Sequence, residues 1–118
     1  MTTPSSLPFS TIRIIGDTVL LSGELGFNEA GAIVGDIAQQ TETTLLRIEK
    51  TLAGIGLSRR DIVSCTCHLV RKEDFAGFND AYRAFFAEEP LPVRTTVVAD
   101  LVLDALVEIT VIAQDRGR

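Results

Sequence analysis

Two charged residues stand inside runs that are otherwise apolar or β-branched. Arg94 sits in Pro92-Val93-Arg94-Thr95-Thr96-Val97-Val98, and Glu108 in Val107-Glu108-Ile109-Thr110-Val111-Ile112-Ala113. Both runs read as strands, the first bounded by Pro90 and Pro92. Charges on strands that build a core are rarely buried without a partner. One reading is structural: the two form a salt bridge, or simply face water. The other is chemical. Arginine offers a planar fork that holds a carboxylate by two hydrogen bonds, and a nearby carboxylate positions or activates water. On that reading Arg94 and Glu108 make an anion site.

The other reactive side chains offer less. Cys65 and Cys67 alternate on one strand, too close along it for an ordinary disulfide, which fits a reducing compartment. A structural zinc site usually takes four ligands, and His68, the single histidine, points to the other strand face. The cysteines therefore read as inert core thiols. His68 reads as a satisfied strand histidine, with no evident partner for general-base work. No phosphate-cradling glycine loop, Walker motif or G-x-S-x-G is present, so neither a metal nor a cofactor is expected. Phe75, Phe78, Tyr82 and Phe85 recur at helical steps and read as helix core, not as a base-stacking platform.

The elements that must position Arg94 and Glu108 are legible from pattern. The whole chain, 1–118, is expected to form one domain, and 118 residues can bury a core without staples. Met1–Leu7 reads as a loose arm, Phe9–Ile15 as a strand and Thr18–Ser22 as a second. Gly23 to Gly35 is a glycine-punctuated loop with a short strand at Ala32–Val34. The spacing of Ile37, Thr41, Leu45, Ile48, Leu52 and Ile55 predicts a helix from Asp36 to Ile55. Asp36 and Gln39 are set for a capping box, and Gly54 and Gly56 end the helix. Gln40, Glu42, Arg47 and Glu49 form its solvated face. Asp61–Val70 is a strand with Val63, Cys65, Cys67 and Leu69 on one face. Asp74, acting as cap, opens a second helix that runs to Ala87, with Pro90 beyond it. The strands of Arg94 and Glu108 follow, then a polar tail, Gln114–Arg118.

Two helices with one apolar stripe each cover one face of a sheet. The other face is expected to carry Leu20, Val70 and Val98, too apolar to stay wet, so burial by association is expected. A net charge of −5 argues against nucleic acid, which demands a basic footprint. It leaves room for a small anion at one arginine. No apolar run reaches the ~20 residues that span a bilayer, and the first residues lack a signal-peptide pattern. The cytoplasm is the expected location.

Leu21-Ser22-Gly23, Asp74-Phe75-Ala76-Gly77-Phe78-Asn79, Pro92-Val93-Arg94-Thr95-Thr96-Val97 and Val107-Glu108-Ile109 together resemble the YjgF/Rid family of small imine deaminases, also known as the L-PSP endoribonuclease family. The resemblance runs from Phe9 to Ala113. It implies an α+β, chorismate-mutase-like fold: a mixed sheet with two helices on one face, assembled as a homotrimer with pockets between subunits. It implies hydrolysis of 2-imino acids and their enamine tautomers to 2-oxo acids and ammonia. Arg94 then grips the substrate carboxylate, and Glu108 holds or activates water. Ser22 and Asn79 match pocket residues. Phe9 stands where the best-studied deaminases have tyrosine, and Thr96 where they have cysteine; both substrate-lining positions therefore depart, and the segment from Arg94 to Glu108 is shorter. Two other functions stay open: a non-catalytic ligand-binding trimer, acting as metabolite sensor or chaperone-like scaffold, and an endoribonuclease.

Overall fold

A computed structural model of the chain describes residues 7–116. Most of the expected Met1–Leu7 arm and the end of the Gln114–Arg118 tail lie outside the described residues. The order is β1 (Ile12–Ile15), β2 (Thr18–Leu21), α1 (Ile37–Ala53), β3 (Ile62–Leu69), α2 (Phe75–Phe85), β4 (Val93–Val98) and β5 (Val107–Gln114). The five strands form one sheet in the order β1-β2-β5-β3-β4. Only β3 and β4 run parallel, and α2 makes the crossover between them. This is the expected α+β arrangement of a mixed sheet and two helices.

Alternation along β5 defines the two faces. Val107, Ile109, Val111 and Ala113 are buried, while Glu108, Thr110, Ile112 and Gln114 are half-buried on the side away from the helices. The buried set joins Val19, Cys65, Cys67 and Leu69 from neighbouring strands and Leu45, Ile48, Leu52 and Phe78 from the helices. Full burial of a side chain such as Leu45 or Phe78 contributes roughly 2–3 kcal/mol.

In β3 the phase differs from expectation: Ile62 is 3% exposed and Val63 38%. Against β5 the register slips between Ile62 and Ser64, leaving Val63 as the extra, outward residue of a bulge. Cys65, Cys67 and Leu69 keep the buried phase.

Helix α1 takes the expected Asp36 cap, the carboxylate accepting from Gln39 N at 3.0 Å, while the reciprocal Gln39 bond of the expected capping box does not form. At its end, Leu57 N donates to Leu52 O, and Gly56, at φ +79°, makes the left-handed turn that closes the last carbonyls. Gln40 corrects the expected solvated face. It is buried, its Nε2 donates to Gly35 O, and its Oε1 accepts from Leu106 N, each at 2.9 Å. The amide ties α1 to the segment entering β5, two residues before Glu108. Arg47 is also no idle surface cation, as its ion pair below shows.

A 3-10 turn, Lys72–Asp74, leads into α2. Asp74 therefore already has helical dihedrals and makes no side-chain cap bond; its carboxylate pairs with Arg71 at 3.0 Å instead. The helix ends at Phe85, not Ala87, and its aromatic stripe is displaced. Phe75 is exposed, whereas Phe86 closes the core against Phe85 and Tyr82. Between β2 and α1, Ala32–Val34 forms no strand; Phe27 and Ile33 make a single bridge.

The open face meets expectation in part: Leu20 lies on it, paired with Ile112. Val98 pairs with Leu69 and so belongs to the helix side, exposed because β4 is an edge. The centre of the open face carries Ser64, Thr66, His68 and Thr110. Hydroxyls there tolerate water, so the apolar demand for a partner lies along β4 rather than across the whole face.

Candidate functional site

Register fixes where the two charged residues stand. Arg94 aligns with Cys65 and Glu108 with His68, three positions along β3. An odd separation puts them on opposite faces of the sheet. Two strand spacings sideways and three residues lengthwise set their Cα atoms about 14 Å apart. Arg94 points to the helix side, and Glu108 to the open side.

The expectation of a charge within core strands is thus corrected for Arg94. Every residue of β4 is exposed except Thr96. The guanidinium lies over three rings of α2, 4.7 Å from the centroid of Tyr82, 5.2 Å from Phe78 and 5.9 Å from Phe75. Among the described residues it has no carboxylate partner. Its N–H groups remain free for an anion. A shallow cavity of about 320 Å³ beside it is lined by Asn79, Tyr82, Phe86 and Pro92.

Phe9, Ser22 and Glu108 line a different cleft, of about 690 Å³, an ordinary size for a small-molecule site. Ser22 Oγ donates to Ser10 O at 2.6 Å, and Ser22 N to Thr11 O at 3.0 Å. The serine therefore pins the segment that carries Phe9 across the mouth. Gly23 explains the second half of the Ser-Gly pair: a Cβ there would stand 2.6 Å from Glu108 Oε2. A side chain there would displace the carboxylate from the position it holds. The mouth is apolar, with Leu7, Phe9 and Leu103 about half exposed and Val102 99% exposed.

Two residues of this cleft escape sequence reasoning. Glu24 Oε1 accepts from Arg47 Nε at 2.9 Å, and Arg47 Nη1 donates to Phe27 O at 3.3 Å. They lie twenty-three positions apart, on an irregular loop and a helix, with no periodicity to link them. Thr96 joins neither cavity. Its hydroxyl is buried without a partner, near a groove lined by Leu69, Lys72 and Phe75. The expected site residues thus fall into three groups within one chain: Phe9, Ser22 and Glu108; Arg94 and Asn79; and Thr96.

The thiols lie away from both carboxylate and cleft. Burial pushes Cys65 up to about 11 and Cys67 to about 12, with Arg94 opposing weakly. Burial likewise raises the Tyr82 phenol, whose hydroxyl sits beside Cys65 without a well-formed hydrogen bond. Since the thiolate is the reactive form, a thiol reagent at pH 8 is expected to leave the folded protein unmodified and to label Cys65 and Cys67 once it is denatured. Unfolded thiols ionise from about pH 8.5. The unfolded state thus loses these protons first, and stability is expected to fall as pH climbs above that value. Rapid labelling of native protein would show that the sulfur layer opens.

His68 Nδ1 is sealed from solvent without a hydrogen-bond partner, so the expected satisfied histidine is not what the structure contains. Among the described residues no three His, Cys, Asp or Glu side chains group as a metal site, and no helix is long and apolar enough to cross a membrane.

Comparison with known proteins agrees with this architecture. The endoribonuclease L-PSP family profile matches residues 2–115. The 2-iminobutanoate/2-iminopropanoate deaminase of Escherichia coli (strain K12) is 34% identical over 106 residues, covering 86% of this chain and 83% of that protein. A RutC family protein of Pyrococcus abyssi is 35% identical over 109 residues, covering 90% of this chain and 85% of that protein. The crystal structure of the YjgF gene product from E. coli superposes with a TM-score of 0.89 at 30% identity, covering 95% of this chain and 91% of that one. That of E. coli TdcF with bound serine gives 0.87 at 29% identity, covering 93% and 90%. The chain belongs to the endoribonuclease L-PSP family, the YjgF/Rid family that its Arg94 and Glu108 segments resemble.

Proposed function

We propose that the protein hydrolyses 2-imino acids and their enamine tautomers to 2-oxo acids and ammonia, at a site completed by two copies of the chain. The observation that carries this reading is the separation of Arg94 and Glu108: two unpartnered charges on opposite faces, about 14 Å apart at Cα. They meet one small substrate only if one copy supplies Arg94 and Asn79 and its neighbour supplies Phe9, Ser22 and Glu108. Relatives named 2-iminobutanoate/2-iminopropanoate deaminase support the reaction, and serine bound to TdcF supports a small carboxylate ligand. The edge strand β4 supports association. Val93 is 70% exposed and Val98 52%, and among the described residues the outer backbone groups of β4 have no partner strand. A closed ring of three copies, each offering β4 to the next, removes that edge.

An imine carbon is already electrophilic, so the site has little to supply beyond placement and proton transfer. Arg94 holds the carboxylate and fixes the C=N carbon. A water attacks that carbon, its proton passes to Glu108, and the π electrons move to nitrogen. Glu108 then gives the proton to nitrogen. Glu108 next takes the proton of the new hydroxyl and passes it to the amino group, and the C–N bond breaks as the carbonyl forms, so that ammonia leaves. The family's other name suggests RNA cleavage, but the cleft holds Glu24 and Glu108 against a single arginine already paired, a poor field for a polyanion.

The test is ammonia release from imines generated in place by an amino-acid oxidase, over a panel of amino acids, with sedimentation run alongside. Faster release is expected for some of the panel, from a species three times the 12.8 kDa chain. No acceleration with any amino acid removes the reaction; an active monomer removes the shared site.

A further inference from the structure

We infer that the apolar mouth of the Glu108 cleft binds the side chain of the imino acid, and that the site therefore favours imines with long, uncharged side chains. This rests on the deaminase reading of the site and names its substrate class. The reacting carbon of a 2-imino acid carries nitrogen, a carboxylate and a side chain. On that reading the carboxylate turns to the Arg94 that the other copy supplies. Nitrogen and the attacking water exchange protons through Glu108. The side chain is the one group left, and the walls of the cleft around Glu108 are the surface left to receive it.

Those walls are apolar. Phe9 and Leu25 line the cleft with Glu108, and so does Leu101-Val102-Leu103, in the loop before β5. Three apolar residues in succession stand there between Asp100 and Asp104, both exposed, and Val102 is almost wholly exposed itself. Little of the Val102 side chain is covered by its own chain, so an apolar ligand that covers it gains nearly the full value of that area. The cleft, of about 690 Å³, is far larger than a methyl or ethyl group fills. Its charges narrow the class further. Glu24, Arg47 and Glu108 are the charged residues that line it, and Arg47 answers Glu24 at 2.9 Å. Glu108 is left as the net charge. It repels an anionic side chain. A cationic side chain would pair with the carboxylate that has to accept the proton. A neutral hydrocarbon chain meets neither obstacle and covers the apolar walls.

The experiment is kcat/KM along a series of imines made in place from alanine, 2-aminobutyrate, norvaline and norleucine, with glutamate as the charged member. Each value is corrected for spontaneous hydrolysis. A rise of about three-fold or more is expected for each added methylene, the size of burying one such group, and so about 30-fold from alanine to norleucine. The glutamate imine is expected about ten-fold or more below that of norvaline, which has a side chain of similar length. Val102→Ser and Leu103→Ser, made singly, are each expected to lower the norleucine-to-alanine ratio about three-fold, with the sedimenting species unchanged. Val102 lies outside the core, so its substitution leaves the fold intact, and the wild-type series decides the matter without either variant. An active wild type whose kcat/KM is flat or falls along the series overturns the inference alone. A rising series with the ratio kept in both variants overturns the role of Leu101-Val102-Leu103. Variants that keep the ratio and lose the ring show that this loop packs against the neighbouring copy, which overturns it as well. A wild type that releases ammonia from no imine removes the deaminase reading, and this inference with it.

Discussion

Replacing Arg94 with alanine is expected to lower kcat/KM about 30-fold or more, the loss of roughly 2–3 kcal/mol from a charge-assisted carboxylate pair. The structure makes this a clean substitution. Arg94 is exposed, has no carboxylate partner among the described residues, and touches the core only by lying over Tyr82, Phe78 and Phe75. Deleting it forfeits those cation–π contacts, about 0.5–1 kcal/mol at an exposed position, and leaves no buried charge behind. Arg94→Lys keeps the charge but loses the planar fork and most of the stacking, so an intermediate rate is expected. Affinity for a 2-oxo acid such as pyruvate, measured by calorimetry, should follow the same order: wild type, Lys, Ala. If the alanine variant binds pyruvate as tightly as wild type, Arg94 belongs to the packing of α2 and the carboxylate is held elsewhere. Arg47 would then be the first candidate, because it lines the cleft that contains Glu108.

The parts of this molecule that periodicity governs were legible in its sequence. The alternation of β5 and the stripe of α1 each follow one repeat, and the structure keeps both. What escaped depends on pairing between distant segments. Val63 turns outward because β3 slips by one residue against β5, and no local pattern marks that slip. Gln40 looks like a surface amide until the backbone of Gly35 and Leu106 arrives on either side of it. The site behaves in the same way. Arg94 and Glu108 announce themselves as charges in apolar strands, yet which face each one occupies follows from strand register. The β-rich pattern around Arg94 suggested a buried strand; topology makes β4 an edge instead, and its apolar residues remain exposed. Residue type thus indicated the chemistry, and the sheet order decided that one chain separates the two charges.

Glu108→Gln is expected to divide binding from turnover. The amide fills the same space above Gly23, so affinity for pyruvate should stay within about three-fold of wild type, because Arg94 carries that interaction. Turnover should fall at least 100-fold, since an amide cannot take the proton from water, and general bases contribute about 10²–10⁴-fold. The variant also supplies the sharpest test of a shared site. Arg94→Ala and Glu108→Gln are each impaired for a different reason, and each keeps the group that the other lacks. If the site is built between copies, unfolding the two together and refolding them as mixed rings restores activity. In a randomly mixed ring about one quarter of the sites join an intact Arg94 to an intact Glu108, so recovery to about one quarter of wild type is expected. If one chain contained the whole site, every site in the mixture would still carry one of the two lesions. No recovery from a mixture whose rings have demonstrably exchanged subunits would therefore overturn the shared site, whatever each variant does alone.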